Sequence, residues 1–150
     1  MIKYVRGDIF SSDAEAITNP VNAVGVSGAG LAYQFKRRYP ENQKAYEKAC
    51  LEKRCAVGRI FVHKIKPGTC VPRYIVNFAT KRHWRENSEL YMIAAGLKDL
   101  VHLLPSLEIR SIALPALGCG YGGLPWPEVR ALLDEICVLP EVEVTVYEPH

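Results

Sequence analysis

The chain has 150 residues, 49% hydrophobic and 23% charged, which bounds it to one domain able to bury its own core. Its formal charge of +3 neither demands nor excludes nucleic acid. No stretch is long and apolar enough to span a bilayer, and "MIKYVRGDIF" lacks the layout of a signal peptide. Cys50, Cys55, Cys70, Cys119 and Cys137 are odd in number and form no Cys-x-x-Cys pair. Free thiols in a reducing, cytoplasmic compartment are expected, with no disulfide framework and no metal site.

In chain order, "IKYVRGD" is the first strand candidate and "AEAITNPVNA" the second, stopping at the turn around Pro20. After "GVSGAG", residues 31–39 read as a helix with Leu31 and Phe35 on one face. "PENQKAYEKACLE" restarts a helix with Pro40 near its first turn. "RIFVHKI" and "RYIVNFA" are strands. "SELYMIAAGLKDLVHLL" places Leu90, Ile93, Ala94, Leu97, Val101 and Leu104 on one helical stripe. "IRSIALPAL" is a buried strand. "PWPEVRALLDEIC" is a helix with Val129, Leu132, Leu133 and Ile136 inward and Pro125 and Pro127 at its start. "VEVTVYE" closes the chain. The order β-β-α-α-β-β-α-β-α-β predicts a single three-layer α/β/α domain with a central mixed β-sheet.

Two places have a strand, a glycine-rich turn and then a helix: "TNPVNAVGVSGAGLAYQF" and "ALPALGCGYGGLPWPEVRALL". Bare backbone at such turns lets N–H groups crowd an anion, and the following helix N-terminus adds a favourable dipole. Two such loops at neighbouring strand ends would grip a diphosphate from both sides. Each alone is equally well a plain turn. Gly118, Gly120 and Gly123 match G-x-G-x-x-G, but only one helix and one strand follow, so no Rossmann unit fits. Neither loop holds the Gly-Lys-Ser/Thr of a P-loop.

Taken together, "GDI", "TNPVNAVGVSGAGLA", "FATKRHW" and "PALGCGYGGLPW" resemble a macrodomain, the ADP-ribose-binding fold, over nearly the whole chain. The likeness is strongest to the subgroup of terminal ADP-ribose glycohydrolases, and within it to antitoxins that remove ADP-ribose from thymidine in DNA. The resemblance implies an enzyme without cofactor. Its substrate is ADP-ribosylated single-stranded DNA, it acts as a monomer, and its cognate partner is an ADP-ribosyltransferase toxin. A further C-terminal domain often accompanies such members.

The resemblance also assigns residues. Asp8, with the Ile9 backbone beside it, matches the acceptor for the adenine amine; an ionised carboxylate offers only acceptors. Its plainer role is to cap a turn. Asn22 lies near the distal ribose, and Asn19 beside it is the weaker match. Gly28, Ala29, Gly30 and Leu31 form the first phosphate loop, although many relatives carry lysine where Ala29 stands. Thr80 precedes the catalytic match, Lys81, which acts at C1 of the distal ribose as an attacking amine or as a stabilising charge. A neutral attacking amine needs burial or a neighbouring cation. Leu117, Gly118, Cys119, Gly120, Tyr121, Gly122, Gly123 and Leu124 form the second loop. One hydrolase branch has an aspartate where Gly122 stands, so its carboxylate-assisted cleavage is not expected here.

Tyr121 is a cover for the ribose or a rim residue. Trp84 and Trp126 are read as packing anchors rather than stacking platforms. Arg82, His83, Trp84 and Arg85 interleave basic and aromatic groups, a pattern that suits a DNA strand and equally a solvated turn. Two other functions stay open: a reader that binds ADP-ribose without turnover, and a hydrolase of small ADP-ribose esters or ADP-ribose 1″-phosphate.

Overall fold

The computed structural model describes residues 2–66 and 71–150. Its elements are β1 (Ile2–Val5), β2 (Ala16–Asn22), α1 (Gly30–Arg38), α2 (Pro40–Leu51), β3 (Phe61–Lys64), β4 (Tyr74–Lys81), α3 (Leu90–Ser106), β5 (Ser111–Leu114), α4 (Trp126–Ile136) and β6 (Glu143–Tyr147). Order and type match the sequence reading. The six strands form one sheet in the order β1-β6-β5-β2-β4-β3. All neighbours run parallel except β3, which is antiparallel to β4. Cys50, Cys55, Cys119 and Cys137 are free thiols; Cys70 lies outside the described residues. Among the described residues no helix is long and apolar enough to cross a membrane.

Both faces of the sheet are covered, so its inner strands are apolar on both sides. In β4, Val76 and Phe78 join the larger core with α3 and α4, while Ile75 and Ala79 face the clusters under α1 and α2. The buried stripe of α3 is rotated from the expected one: Met92, Ile93, Gly96, Leu97, Leu100 and Leu104 face inward. Gly96 sets that rotation. A Cβ at position 96 would lie within 2.5 Å of two Phe78 ring atoms, so only glycine lets the helix settle on that ring.

Three strand limits differ from expectation for local reasons. β1 ends at Val5 because Gly7 turns the chain at φ 140°, and Asp8 caps a short 3-10 turn by accepting from the Phe10 N–H at 2.9 Å. β2 runs through Pro20 to Asn22. It has β5 alongside only at Ala16 and Ile17, so the missing proline donor falls where that neighbour is already gone. β5 stops at Leu114 because Pro115 has no N–H for the ladder.

The topology creates the site. β2 and β5 are neighbours, yet the helices after β2 cover one face while α4, after β5, packs on the other. Connections that diverge this way leave a crevice at the carboxyl ends of the strands.

Candidate active site

A cavity of about 1330 Å³ opens at those carboxyl ends. It exceeds the roughly 300–1,000 Å³ of a drug-sized site, so it suits an extended ligand of dinucleotide size. Its walls are the turn after β1, the loop after β2, the end of β4, the loop after β5 and the end of β6.

The loop after β2 is shaped by Asn22. Its Nδ2 donates to the Val26 carbonyl at 2.8 Å, and its Oδ1 accepts from the N–H groups of Val24 and Val26 at 3.1 and 3.3 Å. Beneath it, the buried Tyr46 hydroxyl donates to the Asn22 carbonyl at 2.7 Å and lies 3.0 Å from Oδ1. The Cys50 thiol reaches the same carbonyl at 3.9 Å. The loop then enters α1 through Ala29, whose side chain cannot cap, so the helix N-terminus meets the cavity without a protein cap.

The loop after β5 turns at Gly118, φ 75°, a conformation costly for other residues. Gly122 is needed for space instead. A Cβ there would lie 2.4 Å from Ser88 Oγ and 2.5 Å from the Gly118 carbonyl, and the Ser88 N–H donates to the Gly122 carbonyl at 2.9 Å. Cys119 lines the cavity, its thiol pushed up to about 11 by burial. Tyr121 is 75% exposed, and its ring lies against Gly30 of α1, so the two glycine loops touch across the mouth.

Lys81 is the last residue of β4, set opposite Asn22 of β2 just past a register bulge. Its Nζ donates to the Trp84 carbonyl at 3.1 Å. Among the described residues no carboxylate pairs with it, and burial holds its pKa below the usual lysine value. An amine of that kind can act as a nucleophile.

The model of the Macro domain family matches residues 18–133. The chain belongs to the macro domain family. A DNA ADP-ribosyl glycohydrolase of Thermus aquaticus is 51% identical over 150 residues, covering 99% of this chain and 41% of that protein. The solved macrodomain of Thermus aquaticus DarG superposes with a TM-score of 0.93 at 51% identity, covering 99% of each chain. Thermosipho africanus DarTG in complex with ADP-ribose gives 0.93 at 34% identity, over 99% of this chain and 41% of that one. The chain thus spans about two fifths of the length of the curated DNA ADP-ribosyl glycohydrolases it matches.

Most of the residues singled out in the sequence meet at this macrodomain cavity: Asp8, Ile9, Asn22, Gly28, Ala29, Leu31, Thr80, Lys81, Trp84, Gly118, Cys119, Gly120, Tyr121 and Gly122 line it. Asn19 does not. It is 0% exposed and donates to Asn77 Oδ1 at 3.2 Å, within a buried amide cluster that Asn42 completes from α2. Period two explains this, since Asn19 points to the face that α2 covers while the cavity lies beyond the strand end. Leu117 is fully buried below the second loop, Leu124 packs on the larger core, and Gly30 and Gly123 stand outside the lining.

The expectation that Trp84 is a packing anchor is corrected. It is 46% exposed at the rim, with the Arg85 guanidinium 4.6 Å from its ring centroid and His83 stacked at 5.4 Å. The connection from β4 to α3 turns away directly at the strand end and offers Trp84 no core to enter. Trp126 is an anchor, packed edge-on to Tyr4 at 6.0 Å. His83 Nδ1 accepts from the Arg85 N–H at 3.1 Å, which fixes the turn, and Arg82 lies 5.7 Å over Tyr91. Several lining residues were not singled out in the sequence, Ser27 and Glu148 among them. Ser27 carries no motif signal. Glu148, held at 3.4 Å by both Trp126 Nε1 and Arg130, comes from the far end of the chain, and only the tertiary fold brings it in.

Proposed function

We propose that this macrodomain is an ADP-ribosyl glycohydrolase that removes ADP-ribose from thymidine in single-stranded DNA, with Lys81 as its reacting group. The observation that carries the proposal is a partly buried amine at the end of β4, without a carboxylate partner among the described residues, on the wall of a cavity of dinucleotide size. The name of the 51% identical relative and the ADP-ribose complex of the 34% identical one support it.

Asp8 and the Ile9 backbone receive the adenine, and the two glycine loops receive the diphosphate. Asn22, whose amide already holds the loop, acts on the distal ribose chiefly by shaping that wall. The neutral Lys81 amine attacks C1 of the distal ribose. Its lone pair forms the C–N bond while the glycosidic pair leaves with the thymine nitrogen, which takes a proton. The ribosyl amine opens to an iminium, and water adds to release ADP-ribose and restore the amine. No carboxylate from the second loop assists, because position 122 has no room for a side chain.

Trp84, with Arg82, His83 and Arg85, offers aromatic and basic groups beside Lys81 for the flanking DNA strand. A lesion of this kind implies a transferase that writes it, and neutralising that toxin is the biological use we assign. The test is release of ADP-ribose from a thymidine-ADP-ribosylated oligonucleotide by wild type and Lys81→Ala, with free ADP-ribose binding measured for both. Release by wild type alone, with binding by both, is expected. Binding by both with release by neither makes the protein a reader.

A further inference from the structure

Ser27 is 3% exposed and lines the cavity, yet its Oγ has no hydrogen-bond partner among the described residues. Buried hydroxyls are nearly always paired, and one left alone weakens the fold. Its position is imposed, because Asn22 holds both the N–H and the carbonyl of Val26 immediately before it. Two residues later the chain enters α1 through an N-cap that no side chain satisfies. Among the described residues, the Asp, Glu, Lys and Arg side chains on the cavity wall are Asp8, Glu148 and Lys81. Two of the three are carboxylic acids, which do not attract an anion, and Ala29 supplies no cation at the helix end. A diphosphate seated here depends on uncharged donors.

We propose that Ser27 is a ligand-binding residue whose hydroxyl, sealed and unpaired in the unliganded chain, turns about its Cα–Cβ bond to donate to a diphosphate oxygen, taking the place of a charged contact at position 29. The inference rests on the ADP-ribose reading given above. It has two consequences of opposite sign. Ser27→Ala removes an unpaired hydroxyl from the unliganded protein, so the melting temperature without ligand stays level or rises. The same change removes a donor to an ionised group in the complex, so affinity for ADP-ribose falls about 10-fold.

The test is calorimetric titration of wild type, Ser27→Ala and Ser27→Cys with ADP-ribose and with adenosine, which lacks the diphosphate, alongside melting without ligand. Cysteine keeps the shape but donates weakly, so it should lose affinity in the same direction. The expected result is weaker ADP-ribose binding by both variants, unchanged adenosine binding and an unliganded melting temperature no lower than wild type. Equal ADP-ribose affinity in wild type and Ser27→Ala overturns the proposal. A matched loss for adenosine with a lowered melting temperature also overturns it, since that is a structural role. Wild type failing to bind ADP-ribose at all overturns the underlying functional reading, and the wild-type titration alone reveals that.

Discussion

Gly122 and Ser88 occupy one another's side-chain space: a Cβ on Gly122 would sit 2.4 Å from Ser88 Oγ, while the Ser88 N–H binds the Gly122 carbonyl at 2.9 Å. The resemblance to carboxylate-assisted hydrolases invites the variant Gly122→Asp as a gain of function. The expected outcome is the reverse. Trimming Ser88 does not make room, because the Gly118 carbonyl stands 2.5 Å away on the other side. Overpacking of this kind costs about 1–3 kcal/mol. Denaturant unfolding should show that loss, and ADP-ribose release should fall in the same variant.

Asn22 is expected to matter through shape. Asn22→Ala removes one donor and an acceptor that serves Val24, Val26 and the Tyr46 hydroxyl. Unpairing several partly buried groups costs about 1–3 kcal/mol, and ADP-ribose affinity falls with it. Tyr46→Phe, at a fully buried position outside the cavity lining, is expected to reproduce a smaller share of both effects by freeing the Asn22 carbonyl. Equal affinity of Tyr46→Phe and wild type would disconnect the loop clasp from binding.

Lys81 gives a pH prediction with a definite sign. Burial disfavours the ammonium, so the folded pKa lies below that of a free lysine. Between the two values the unfolded chain holds more protons, so the destabilisation from burying the charged form fades as pH rises through the lowered pKa. Under the proposed mechanism the attacking species is the neutral amine. Single-turnover release should therefore rise with pH and level off above that pKa; a rate that falls instead would make Lys81 a cationic stabiliser. Borohydride added during turnover should fix ADP-ribose on the Lys81 peptide, read by mass spectrometry.

Substitution of Trp84 is expected to separate DNA binding from ADP-ribose binding. Its backbone carbonyl, which holds Lys81 Nζ, survives truncation of the side chain. Trp84→Ala should raise KM for the modified oligonucleotide about 10-fold, the scale of one base–aromatic stack, and leave free ADP-ribose affinity unchanged. Arg85→Ala should flatten the salt dependence of KM by about one charge.

Thiol chemistry offers a check on packing near the site. The neighbouring Cys55 thiol draws the Cys50 pKa below the ordinary value, whereas Cys55, Cys119 and Cys137 are all pushed up. Cys50 is also half-buried rather than sealed. Among these four thiols, peptide mapping after brief alkylation should find Cys50 modified first.

The element order was legible because apolar spacing changes period cleanly between strands and helices, and the glycine loops announced themselves. Strand ends were harder. Nothing local says that β2 tolerates Pro20, since that depends on how short β5 is. Asn19 and Asn22 look alike in "TNPVNA", and only the strand's end, where alternation stops, sends one into a buried amide cluster and the other to a cavity wall. Trp84 reads as core by its size, and the short turn after β4 keeps it outside.

Lys81 belongs to a strand hydrogen-bonded to neighbours along both edges, β2 and β3. The glycine loops to which the proposed function assigns the diphosphate follow β2 and β5. Mutational drift can therefore rewrite those loops residue by residue while the amine stays where the sheet put it. New substrates become reachable without reinventing the chemistry.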